Sequence, residues 1–160
     1  MKRITILLIF LASSVFADKA LTIEERVVAL TILGEARGEG EKGMSAVACV
    51  IQTRAKERGL TPLQVCHEYR QFDTWWVSSG RQWSLKKERE LYYLWRSPSK
   101  IYARELARKV CNKKVKLEDI TNGANHFCRT TSFPYWTRGK TPVFVYKKHK
   151  FFKLPPPRKK

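Results

Sequence analysis

The stretch GEARGEGEKG, Gly34 to Gly43, holds three carboxylates in a chain with 32 Lys+Arg against only 14 Asp+Glu. Glu39 and Glu41 flank glycines and are expected to sit hydrated in a turn. Glu35 is different, because it ends an apolar run, VVALTILG. Burial there would disfavour the charged form and raise its pKa. The negative end of a helix pushes the same way. A carboxyl that stays protonated near neutral pH is what general acid cleavage of a glycosidic bond requires. The competing reading is a structural ion pair with Arg37 or Arg54.

The other residues with chemical potential are aromatic. Tyr69, Phe72, Trp75, Trp76, Trp83, Phe133, Tyr135 and Trp136 fall largely in predicted loops. Loop aromatics are platforms for sugars or bases, or else satellite core beneath the loop. His67, His126 and His149 are too scattered to predict a metal site, and no nucleophile-elbow, phosphate-loop or paired C-x-x-C pattern occurs. Neither a metal nor an organic cofactor is expected.

These groups must be positioned by helices. Thr22 and Glu25 form a capping-box pattern, with Leu21 placed as a staple. The helix that follows is apolar nearly all round, which predicts a central, buried element ending at Glu35. After the glycine turn, MSAVACVIQTRAKERG reads as a second helix stopped by Gly59. Thr61-Pro62 opens a short third helix. EYRQFDTWWVSSGRQWS lacks periodicity and reads as a long loop lining something. Helices are expected from Ser84 to about Trp95 and from Ser99 to about Cys111. NGANHFC and PVFVYKKHKFFKL then read as short strands, the latter a hairpin turning at Lys147-Lys148. The expected class is α+β, mainly helical, with a small C-terminal β element.

Residues 1–17 read as an export leader: a basic start, an apolar run, then Val15 and Ala17 before the cut. The run is short for a membrane span of ~20 residues. The folded domain is expected over 18–154, with 155–160 a Pro-rich, basic, disordered tail. Removing Lys2 and Arg3 with the leader changes the formal charge from +18 to +16. Such a surplus favours polyanions and makes binding salt-sensitive. For an exported protein the expected partners are peptidoglycan and anionic cell-wall polymers or anionic membrane surfaces, and the chain is expected to act as a monomer. The basic residues are spread along the whole chain, so nucleic acid is not expected. Cys49, Cys66, Cys111 and Cys128 make two disulfides an open expectation in an oxidising compartment, with three possible pairings. Cys49, within an apolar helix, reads equally well as a buried thiol.

VALTILGEARGEGEKGMSAVACVIQTR resembles the signature region of the SleB/CwlJ family of cell wall hydrolases, in which a helix ends in E-A-R-G-E and an A-V-A-x-V-I-x-x-R helix follows. QFDTW is similar to that family's Q-F-S element, TNGANHF to its N-G-A element, and WTRGKTPVFVYKKHKFF to its closing segment. The similarity runs from about Ile23 to Phe152. It implies a lysozyme-like helical domain that cleaves peptidoglycan glycan strands, in many members as a lytic transglycosylase, with Glu35 as the catalytic acid. Gln71, Phe72, Asn122, Trp136 and His149, all within these motifs, are expected to line the substrate groove. Asp73 departs from the usual Ser, and Cys128 stands where small or polar residues are commoner. Asp73 also keeps a two-carboxylate hydrolase open as a rival. A non-catalytic cationic wall-binding protein is the rival from another class.

Overall fold

The computed structural model describes residues 20–69, 71–76 and 85–155. The expected leader, the loop segment containing Trp83 and nearly all of the basic tail lie outside the described residues. Among the described residues five helices come first: α1 (Ile23–Ala36), α2 (Gly40–Arg58), α3 (Pro62–His67), α4 (Leu85–Arg96) and α5 (Lys100–Cys111), with a 3-10 turn (Arg37–Glu39) between α1 and α2. Three strands follow, β1 (His126–Arg129), β2 (Phe144–Tyr146) and β3 (His149–Phe152). They form one antiparallel sheet in the order β1-β3-β2. This is the mainly helical α+β architecture that the residue pattern predicts.

Helix α1 is the central element. The Thr22–Glu25 capping box forms in both directions. Val28, Ala29, Ile32 and Leu33 are completely buried, and the helix packs on α2, α3, α4 and α5. A second capping box, Thr61 with Gln64, starts α3 behind Pro62. Helix α2 begins four residues earlier than the expected Met44. Gly40, at φ 75°, makes the sharp turn out of the 3-10 segment. Glu41, exposed in the first turn of α2, suits the positive end of the helix dipole. Gly59 ends α2 in the left-handed conformation, as expected.

Two apolar clusters share α2. One face, through Met44, Val47, Ala48 and Ile51, joins the helical core. Ala46 and Val50, on another face, pack against Ala124 and Phe151 and so attach the sheet. The hairpin turns at Lys147-Lys148 as the strand pattern predicts, with Lys147 at φ 46° and His149 paired with Tyr146 across it.

Phe72 belongs to the core and not to the groove. It is 1% exposed, lies 6.2 Å from the Phe127 ring, and has the Arg54 guanidinium 5.2 Å from its centroid. The loop reading missed this because a single apolar residue anchoring an irregular segment has no periodicity to reveal it. Phe72→Ala is expected to destabilise the fold by about 3–5 kcal/mol, the usual range for truncating a buried aromatic. Denaturant unfolding measures this directly. A loss within the scatter of surface substitutions would return Phe72 to the groove.

Candidate active site

Helix α1 delivers Glu35 to the floor of a cleft of about 1280 Å³. The 3-10 turn, loop 71–76 and α4 form one side, and the sheet with the β1–β2 connection forms the other. Its walls include Gln71, Asp73, Thr74, Trp136 and His149. The cleft lining brings Glu35, Gln71, Trp136 and His149 together, with Asp73 beside them.

Loop 71–76 is fastened to α1 at two points one helical turn apart. The Trp75 indole donates to Thr31 Oγ1 at 2.8 Å, and the Thr31 hydroxyl donates to the Val27 carbonyl. One turn on, the Thr74 hydroxyl and backbone N–H both donate to Glu35 Oε1, at 2.8 and 3.1 Å. Trp75 is thus buried support, not a sugar platform. The approach of Thr74 depends on Gly34. A Cβ at that position would lie 2.0 Å from Thr74 Oγ1. An isolated glycine inside a helical apolar run has a packing reason more often than not. That was the signal available for Gly34; nothing in the sequence singled out Thr74.

Burial raises the Glu35 pKa above the ordinary carboxylate value, and the two Thr74 hydrogen bonds draw it back down. The Asp73 charge raises it further and Lys87 lowers it. Among the described residues no ion pair joins Glu35 to Arg37 or Arg54. Arg54 is itself buried, and its Nε donates to the Asn125 carbonyl. Burial brings its guanidinium down to about 10. His149, at the opposite wall, is held below the usual imidazole range by burial, against a smaller upward pull from Glu39.

Glu39 corrects the expectation of a hydrated turn carboxylate. It is 5% exposed and part of the cleft wall. Its Oε2 accepts from the Lys148 backbone N–H at 3.1 Å, and its carbonyl accepts from Lys147 Nζ at 2.8 Å. Gly43 makes room for it, since a Cβ there would lie 2.2 Å from the Glu39 Cβ. Glu39 therefore clamps the hairpin onto the start of α2. Glu41 is exposed, as expected.

Asn122 is also corrected. It is exposed at φ 56°, and its amide donates to the Val143 carbonyl, so it shapes a turn outside the cleft. The structural amide of NGANHF is Asn125. It is buried, donates to Glu57 and to the Leu154 carbonyl, and accepts from the Leu154 N–H. The four cysteines are free thiols, so of the two readings left open it is the thiol that the structure holds. Cys49 Sγ donates to the Glu118 carbonyl, and Cys128 lies in the cleft wall. Burial pushes Cys66 and Cys111 up to about 12.

Glu39→Ala is expected to cost about 1–3 kcal/mol, because it removes the carboxylate that accepts the part-buried Lys148 N–H. It should also speed amide exchange at Lys148. Glu41→Ala should stay within about 0.5 kcal/mol of the parent, as surface substitutions do. Equal effects from the two would remove the clamp assignment.

Comparison with known families matches the cell wall hydrolase description over residues 38–152, well over half the chain. Glu35 stands just ahead of the first matched position, and Gln71, Asp73, Thr74, Trp136 and His149 fall within the match. No curated protein and no solved structure matches in the parallel searches. With residues 38–152, most of its length, matched, the chain belongs to the SleB-like family of cell wall hydrolases.

Proposed function

We propose that this chain is an exported enzyme that cleaves peptidoglycan glycan strands as a lytic transglycosylase, with Glu35 as its single general acid and base. The observation that carries the reading is a desolvated carboxyl with a raised pKa, open to a cleft larger than a single small-molecule site of about 300–1,000 Å³. Membership in a cell wall hydrolase family supports peptidoglycan as the substrate.

In this mechanism the Glu35 carboxyl protonates the bridging oxygen as its bond to the muramic acid anomeric carbon breaks. The sugar's own N-acetyl carbonyl stabilises the positive charge that develops. Glu35, now a carboxylate, takes the proton from the 6-hydroxyl of the same sugar. That oxygen closes on the anomeric carbon, giving a 1,6-anhydro ring and restoring the acid. No water is consumed.

One observation favours a second reading. Asp73 lies in the same cleft wall and acts electrostatically on Glu35. A second carboxylate near the acid is what a hydrolase needs to activate water or hold a glycosyl intermediate. Mass analysis of fragments from digested sacculi separates the two, because anhydro ends are one water lighter than reducing ends. Anhydro products support the transglycosylase, and reducing ends support a hydrolase with Asp73 as the candidate partner carboxylate. Intact sacculi with bound protein would reduce the chain to a wall binder.

Glu35→Gln is expected to lower cleavage by roughly a thousandfold or more, within the range general acid–base catalysis contributes together with loss of the returning base. It should also be more stable than the parent at neutral pH. Burial raises the folded-state pKa of Glu35 above its unfolded value. Stability from this group is therefore fully present below the unfolded carboxylate pKa and lost as pH rises through the folded value. The stability gap between variant and parent should close in acid. An active Glu35→Gln, or a gap that widens in acid, would sink the assignment.

The positive charge of the chain supports attraction to anionic wall polymer. Sacculus binding should weaken steeply as salt rises through the physiological range, where the Debye length is about 8 Å. Cleavage of short soluble glycans should change far less. Parallel loss of both would place the basic residues in the chemistry itself.

A further inference from the structure

We propose that Thr74 is a positioning residue for Glu35, fixing Oε1 as the hydrogen-bonded oxygen and leaving Oε2 to carry and deliver the proton, with Gly34 as the residue that lets Thr74 come close enough to do so. The inference rests on the general-acid reading of Glu35 and goes beyond it by naming the reacting atom.

A carboxyl group has two oxygens, and an acid catalyst must present its proton from one of them in a fixed direction. Here the two are not equivalent. Oε1 accepts the Thr74 hydroxyl at 2.8 Å and the Thr74 N–H at 3.1 Å. Oε2 receives a hydrogen bond from no described residue. The Thr74 N–H is a fixed donor aimed at Oε1, so a proton on that oxygen would face it. The neutral acid therefore carries its proton on Oε2. When Glu35 has given the proton away, the same two donors stabilise the carboxylate, and Oε2 is the oxygen left open to take a proton back.

Thr74 cannot drift from this place. It is buried, and its neighbour Trp75 is tied to Thr31, one turn before Glu35 on the same helix. The contact with Gly34 is so close that a single methyl group would displace the hydroxyl. Glycine in a helix interior costs about 0.5–1 kcal/mol relative to alanine, so its presence at the last turn of a buried helix answers to this approach.

The charged and titratable groups around Glu35 come from every wall. Asp73 is adjacent to Thr74, Lys87, Glu90 and Tyr93 come from α4, and Arg37 and Glu39 from the 3-10 turn. Arg54 on α2 and Cys66 on α3 feel its charge from behind. Cys128, Arg129 and His149 of the sheet and Lys148 of its hairpin turn line the same cleft. Substitutions at Thr74 change none of these, so a shift in the titration of Glu35 reports the lost hydroxyl.

The test compares Thr74→Val, Thr74→Ser and Thr74→Ala with the parent on soluble glycan fragments, over pH. Thr74→Ala needs no new space and covers the case in which valine fails to fold. Loss of the hydroxyl should lower kcat on the order of a hundredfold, the scale of a misplaced reacting group, with KM nearly unchanged. The alkaline limb, where Glu35 ionises, should move to higher pH, because a donor to the carboxylate has gone. Thr74→Ser should restore both rate and limb. Carbon-detected NMR titration of Glu35 in the same variants reads the shift without turnover. Gly34→Ala should copy the Thr74→Ala defect and add little on top of it, since both remove one contact. An unchanged limb and rate in Thr74→Val or Thr74→Ala, or a Thr74→Ser no better than they are, overturns the positioning role. Glu35→Gln run in parallel keeps the two claims apart. If it is inactive while the Thr74 variants behave like the parent, only the positioning role falls. If it is active, the general-acid reading falls.

Discussion

A carboxyl group at the end of a buried helix is an unstable arrangement, and much of the cleft side of this fold is arranged around it. Water is excluded from enough of Glu35 to raise its pKa, yet the side chain still reaches the cleft. Unsupported, such a group would either ionise and pull the helix end into solvent or pair with one of the many nearby cations. Loop 71–76 prevents both outcomes. It covers the end of α1 with Trp75, ties that ring to Thr31, and supplies Oε1 with two neutral donors. Neutral donors matter here. A guanidinium in the same place would favour the carboxylate far more strongly. Arg54 is near enough to feel Glu35, but its Nε is committed to the Asn125 carbonyl and its guanidinium lies over the Phe72 ring.

The opposite wall is held by a different balance. The sheet carries Phe127, Cys128, Arg129 and His149 into the cleft, and the connection after β1 adds Trp136. Its attachment to the helices runs through α2 and the turn before it. Ala46 and Val50 meet Phe151 and Ala124, and Glu39 clamps the hairpin backbone. The E-A-R-G-E segment thus holds two carboxylates with opposite duties. Glu35 is left with one oxygen open, while Glu39 secures the wall that faces it. Spacing explains the division. Four residues along an uninterrupted helix would place both groups on one face, but Gly40 and the 3-10 turn redirect the second toward the hairpin.

How much of this was legible in the sequence differs from residue to residue. The central helix, its capping box, the order of elements and the C-terminal hairpin followed from periodicity and turn chemistry, which are local signals. Glu35 was legible because an acid ending an apolar run is a local contradiction. Glu39 looked equivalent to Glu41, because nothing near it announces a partner 109 residues away. Phe72 was drawn into the groove by its motif neighbours, although Gln71 is exposed and Phe72 is not. Asn122 and Asn125 could not be ranked by type. Their difference lies in a turn that exposes one amide and buries the other among Glu57 and Leu154. Thr74 is the instructive omission, since a threonine in a loop carries no mark until the helix it touches is in place.

The two apolar clusters that share α2 are very unequal. The helical one draws on all five helices, whereas the one beneath the sheet has four buried members, Ala46, Val50, Ala124 and Phe151. Regions with few buried apolar contacts open at lower free energy than the rest of a domain. Apart from Phe127, which also touches the helical core, the strands are therefore expected to open before the helices, taking a wall of the cleft with them while Glu35 stays on α1. Heating should then silence the molecule before its helical circular dichroism fades, and the interval between those two temperatures measures how weakly the sheet is moored.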